Sequence, residues 1–137
     1  MIYEAVDNRR AIIDRRGLGD RIAALPAGPA LAGEIATVLG EALDRGRSEI
    51  ARRLAEEPGR GRSAARATAY LHDQIVRLAY DSAAARLLDE PPAEPLSLVA
   101  LGGTGRGEMA PFSDLDLMVL TRGKPGPQAA ALVEALL

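Results

Sequence analysis

The 137-residue chain contains no cysteine and no tryptophan, one phenylalanine and three tyrosines. The missing thiols exclude disulfides, thiolate zinc sites and a cysteine nucleophile, and they fit a reducing compartment. With aromatics at 3%, the core must be built from leucine, isoleucine, valine and many alanines, a mixture that favours helices. No apolar run approaches the roughly 20 residues that span a bilayer. Charges appear early, at Glu4, Asp7, Arg9 and Arg10, where a signal peptide would carry its apolar core. The formal net charge is -2, so no global field draws the chain to nucleic acid or to an anionic membrane. These absences lead us to expect a cytoplasmic protein that binds neither. What remains is 47% apolar and 26% charged, the balance of a soluble globular domain rather than a disordered one.

The N-terminal part reads as helical. Ala11, Ile12, Ile13 and Leu18 suggest a short helix interrupted by Gly17 and Gly19. Over residues 29–57 the apolar positions Leu31, Ile35, Val38, Leu39, Ala42, Leu43, Ile50 and Leu54 recur at helical spacing. Gly40 and Gly46 are expected to weaken or bend that helix. Pro58-Gly59-Arg60-Gly61 ends it, and Ser63 is the expected N-cap of a second helix reaching about Leu88. Two long helices joined by a tight turn predict an antiparallel pair.

Residues 89–95 (Asp-Glu-Pro-Pro-Ala-Glu-Pro) cannot continue a helix, and the pattern then changes. Residues 96–101 and 115–120 are short apolar runs of strand length, and residues 128–137 open a further helix. The expected class is α/β (α+β): an N-terminal antiparallel helical pair over residues 1–95, then the first two strands of a sheet over 96–137.

Between the two strand-like runs lies the chemistry. Leu101-Gly102-Gly103-Thr104-Gly105-Arg106-Gly107-Glu108 is a turn of small residues, able to bring backbone N–H groups close to a phosphate. Ser113-Asp114-Leu115-Asp116-Leu117 places two carboxylates at i and i+2. On a strand they would share a face, about 6–7 Å apart at Cα, and could hold divalent metal ions. Leu115 and Leu117 would then face the core. No Gly-Lys-Ser/Thr is present, so this is not a P-loop. The Gly-x-Gly-x-x-Ala match at Gly105 is opposed by Pro111, which forbids the long helix of a dinucleotide fold.

The string Gly-Gly-Thr-Gly-Arg-Gly-Glu-Met-Ala-Pro-Phe-Ser-Asp-Leu-Asp-Leu resembles the DNA polymerase β-type nucleotidyltransferase superfamily. Within it, the string is similar to the bifunctional PII uridylyltransferase/uridylyl-removing enzymes. Arg10-Ala11-Ile12-Ile13-Asp14-Arg15-Arg16 and Tyr70-Leu71-His72-Asp73-Gln74 resemble the same family's N-terminal region. The resemblance implies that Gly102 and Gly103, with Arg106 and Ser113, contact the phosphates of UTP. It implies that Asp114 and Asp116 are the catalytic carboxylates and bind Mg²⁺. It also implies transfer of UMP to a tyrosine of the PII signalling protein, with release of pyrophosphate. Thr104 and Phe112 depart from the family's common aromatic and histidine. The third carboxylate used by the superfamily has no counterpart except Glu134, on the expected last helix. The hydrolase and glutamine-sensing domains are missing as well. The expectation is an N-terminal fragment with little activity of its own. Rival readings are a glutamine-synthetase adenylyltransferase-like or small stand-alone nucleotidyltransferase, and a non-catalytic helical interaction module.

Three other features read as structural. His72-Asp73 suggests a hydrolase metal dyad, but His72 is the sole histidine, so a packing role is expected. Arg52, Arg53, Arg60, Arg62 and Arg66 form a basic cluster interrupted by Glu56 and Glu57, expected to be a solvated face. Tyr70 and Tyr80 are expected at the core edge.

Overall fold

A computed structural model describes residues 3–137. Helices α1 (Arg9–Ile12), α2 (Arg15–Ala23), α3 (Leu31–Glu56) and α4 (Gly61–Arg86) precede strand β1 (Leu96–Ala100). A helical turn α5 (Gly102–Gly105), strand β2 (Leu117–Thr121) and helix α6 (Pro127–Leu136) follow. The class is α/β, as the sequence pattern predicts.

The α3–α4 pair is the frame. Leu31, Ile35, Val38, Leu39, Ala42 and Ile50 form the buried stripe of α3, spaced three, four and seven apart as one helical face requires. Ala67, Leu71 and Leu78 of α4 meet it. Glu57 is extended, at φ -129° and ψ 77°, because the ring of Pro58 disfavours the helical region for the residue before it. The turn closes when Arg60 N donates to Glu57 O at 3.0 Å. α4 then begins at Gly61, earlier than expected, and Ser63 lies inside the helix instead of capping it. At the far end α4 stops at Arg86, two residues short of the expected limit.

α3 runs unbroken through Gly46, where the small residue lets the pair close. A methyl group there would lie 2.5 Å from Leu71 Cδ1 and 3.0 Å from the carbonyl oxygen of Ile12. Gly40, on the wet side of the same unbroken helix, has no such neighbour.

The N-terminal segment also differs from expectation. Gly17 and Gly19 lie within α2 rather than breaking a helix. Asp14 caps α2, its Oδ1 accepting from Gly17 N at 3.3 Å, and that bond, with Arg10 beside it, holds the carboxyl below its usual range. At the other end Arg86 donates to the carbonyls of Ile22, Ala23 and Leu25. A guanidinium on these C-terminal carbonyls offsets the weak helix propensity of two glycines. Tyr3 and Tyr70 pack edge to face, centroids 5.4 Å apart, at the margin of this core.

β1 and β2 pair antiparallel, with Leu96 opposite Thr121 and Ala100 opposite Leu117. Leu96, Leu98, Ala100 and Leu117 share one face, and with Val76 and Tyr80 of α4 they line a cleft of about 330 Å³. Leu117 lines this cleft but is 40% exposed rather than in the core as expected, because the cleft leaves it in contact with solvent. Val99, Met118 and Leu120 lie on the opposite, open face. α6 packs on α4 and buries Ala129 and Leu132 completely. The linker is tied to its start where Gly126 N donates to Glu94 Oε1 at 2.6 Å. α4 thus touches the bundle on one side and the turn and last helix on the other.

Candidate functional site

The glycine turn is held from both ends. Leu101 N donates to Asp116 O at 2.9 Å, extending the β ladder one residue beyond β2. Asp114 and Asp116 therefore lie in the segment leading into β2 rather than within it, a correction to the strand-face placement. The added ladder bond still puts Asp116 on the open face with Met118 and Leu120, since alternation carries through it.

Gly102 turns the chain at φ +55°, where a Cβ is disfavoured. Its Cα faces the carboxylate of Asp116, so closely that a methyl group would stand 2.9 Å from Oδ2. The glycine turn thus meets the carboxylate of Asp116, and Gly102 is glycine for two physical reasons. Gly103 and Gly105 are small because backbone passes behind them. A Cβ at Gly103 would be 2.8 Å from Glu108 O, and one at Gly105 would be 2.5 Å from Ala100 O.

Asp114 and Asp116 are exposed, and among the described residues neither side chain makes a hydrogen bond or ion pair. Arg106 is also exposed and its side chain is unpaired. Ser113 donates its backbone N–H to Ala110 O at 3.2 Å, while its hydroxyl is unused. Free carboxylate oxygens suit a hard cation such as Mg²⁺, which takes one or two carboxylates and completes its shell from water and substrate phosphates. No third acidic, histidine or cysteine side chain joins the pair among the described residues, and Glu134 lies on α6.

The supports of the site were less legible in the sequence. Met109, 1% exposed, donates its N–H to Ala65 O on α4 at 3.0 Å, and its sulfur accepts from Thr104 Oγ1 at 3.1 Å. Glu108 accepts from Arg62 at 2.9 Å and from Arg66 at 3.3 Å. Those bonds, Arg62 first, hold its carboxyl below the usual range. The available signal was the four-residue spacing of Arg62 and Arg66, which puts both on one side of α4. So part of the basic cluster clasps the site. The rest is neutralised locally: Arg52 and Arg53 by Glu49, and Arg60 by Asp7 and Glu57. His72 is buried and its Nδ1–H donates to Thr68 O at 2.8 Å, the packing role expected of it.

Comparison with known proteins reaches the same region. Residues 45–137 match the nucleotidyltransferase family DUF294. A bifunctional uridylyltransferase/uridylyl-removing enzyme of Novosphingobium aromaticivorans is 39% identical over 96% of the chain. Proteins of that description from Erythrobacter litoralis and Rhodospirillum rubrum are each 36% identical, over 96% and 100% of the chain. The chain spans 15% of the length of each of these relatives. No solved structure gives a significant match.

Proposed function

Because the chain belongs to the nucleotidyltransferase family DUF294, we propose that residues 101–116 form the triphosphate-binding half of a uridylyltransferase site. The observation that carries the reading is the approach of Gly102 to the unpaired Asp116 carboxylate, which joins a bare backbone turn to a free acid. The names of the relatives favour UTP as the nucleotide. The resemblance in the catalytic string favours a tyrosine of the PII signalling protein as the acceptor.

In this reading Asp114 and Asp116 hold Mg²⁺ through their unpaired oxygens. The bound cation would offset the charge of the triphosphate and polarise the attacking oxygen. Gly102 and Gly103 leave room for the phosphates to approach the backbone. Arg106, with no partner of its own, would add a charge-assisted contact, and the Ser113 hydroxyl, which makes no other bond, would donate to a phosphate oxygen. The tyrosine hydroxyl oxygen attacks the α-phosphorus. The bond from that phosphorus to the β-bridging oxygen breaks, pyrophosphate leaves, and the hydroxyl proton passes to solvent. No group of three or more acidic, histidine or cysteine side chains gathers to hold a metal among the described residues, so we assign binding to this chain and expect little turnover from it alone. Robust Mg²⁺-dependent transfer of label from UTP by the purified chain would overturn that assignment.

The test of the site is titration calorimetry with Mg·UTP. Asp116→Asn should weaken binding by more than the roughly 10–100-fold typical of a group behind the ligand shell. Its thermal midpoint should barely change, because the side chain supports nothing else. Unaltered affinity in the variant, or wild-type binding indifferent to EDTA, would refute the site. Preference for ATP over UTP would favour the adenylyltransferase alternative.

A further inference from the structure

We propose that Phe112 is a stacking platform for the base of the nucleoside triphosphate, an inference that rests on the site reading above. The chain has one phenylalanine, no tryptophan and three tyrosines. A core so short of aromatics would gain most from burying that ring. Instead Phe112 is 94% exposed.

Its backbone is unusual in the same direction. Ser113 N donates to Ala110 O, closing a turn with Pro111 and Phe112 at its centre. Proline at the second position and a positive φ at the third are the pattern of a type II turn, whose third residue is ordinarily glycine or asparagine. Phe112 occupies that position at φ +63°. A bulky side chain there is an outlier, and such strain collects at ligand clamps. The turn therefore holds a large flat ring in water at a conformational cost that glycine would avoid.

The ring is rooted two residues before Asp114, at most about 7 Å along the chain. In the proposed pose, a triphosphate held at Asp114 and Asp116 would present its base to this ring. The ring's faces are unoccupied: among the described residues the aromatic pair is Tyr3 with Tyr70. Stacking tolerates any base, so Phe112 supplies affinity and orientation rather than base choice.

Three variants test this, titrated with Mg·UTP and with Mg²⁺ and inorganic triphosphate, which has no base. Phe112→Ala should weaken UTP by about 5- to 150-fold and leave triphosphate unchanged. Phe112→Gly should lose the same UTP affinity while raising the thermal midpoint, because the strained φ is relieved. Phe112→Trp provides the molecule's sole indole. Its emission should respond to UTP and not to triphosphate. Wild-type UTP affinity in Phe112→Ala, or equal losses for both ligands, would overturn the platform and leave the phosphate site standing. Failure of the wild-type chain to bind triphosphate at all would overturn both.

Discussion

Gly102→Ala separates two costs that coincide at one residue. The first is conformational: an L-residue in the left-handed region costs about 1–2 kcal/mol. For a chain of this size that corresponds to a fall of roughly 4–8 °C in the thermal midpoint. Gly123 provides the control, because it has φ +79° and nothing within 4 Å of its would-be Cβ. Gly123→Ala should carry the first cost and no other. The second cost is local to the site. The new methyl group would stand 2.9 Å from Asp116 Oδ2, short of the 3.4 Å at which ordinary contact begins. The carboxylate is exposed and can swing aside, so folding suffers little from the clash. The carboxylate proposed to bind Mg²⁺, however, shifts by at least 0.5 Å, the difference between those distances. Errors of about 1 Å in placing reacting groups cost on the order of 100-fold. We therefore expect both variants to melt at similar, lowered temperatures. Gly102→Ala alone should lose about 10- to 100-fold in Mg·UTP affinity, the scale of a disturbed metal shell. The assays are thermal denaturation by circular dichroism and titration calorimetry. Equal Mg·UTP affinities in the two alanine variants would refute the convergence of turn and acid.

The seam between α3 and α4 makes a comparable pair. Gly46→Ala and Gly40→Ala gain the same helix propensity, about 1 kcal/mol, but Gly46→Ala also overpacks against the fully buried Leu71, typically about 1–3 kcal/mol. Chemical denaturation should rank Gly40→Ala above Gly46→Ala by that difference, and equal midpoints would mean the helices do not approach closely there. Acid should weaken the fold through Glu49, whose carboxyl is lowered from 4.5 to about 2 by hydrogen bonds from Arg52 and Arg53. A depressed folded value means this stabilisation is whole above pH 4.5 and is lost as pH falls through about 2. Thermal midpoints measured across that window should decline less in Glu49→Gln than in wild type, and superimposable profiles would refute the linkage.

Much of this architecture could be read from residue order. The three- and four-residue spacing of Leu31, Ile35, Val38 and Leu39, broken at Pro58, specified α3 and its turn. The two apolar runs flanking the glycines specified the strands, and Asp114 and Asp116 stood out by their spacing, by the glycine turn before them and by the resemblance of the whole string. What was not legible depends on partners distant in the chain. Gly17 and Gly19 argue against a helix, but the sequence does not reveal that Arg86 caps the carbonyls at its end. Gly46 looks like a weak point until Leu71 is seen against it. Met109 reads as an ordinary apolar residue, and only the fold shows it hanging from Ala65. The start of β2 shifted because strand limits follow from pairing, not from composition.

The attachment of Glu108 and Met109 to α4 has a mechanical consequence. Those adjacent residues form a short rigid strut from the long helix to the glycine bend, and the bend in turn abuts the carboxylate of Asp116. Sliding of α4 against α3 would therefore bear, through that contact, on the bend beside Asp116. If the proposed site binds nucleotide, substitutions deep in the bundle should alter Mg·UTP affinity as well as melting.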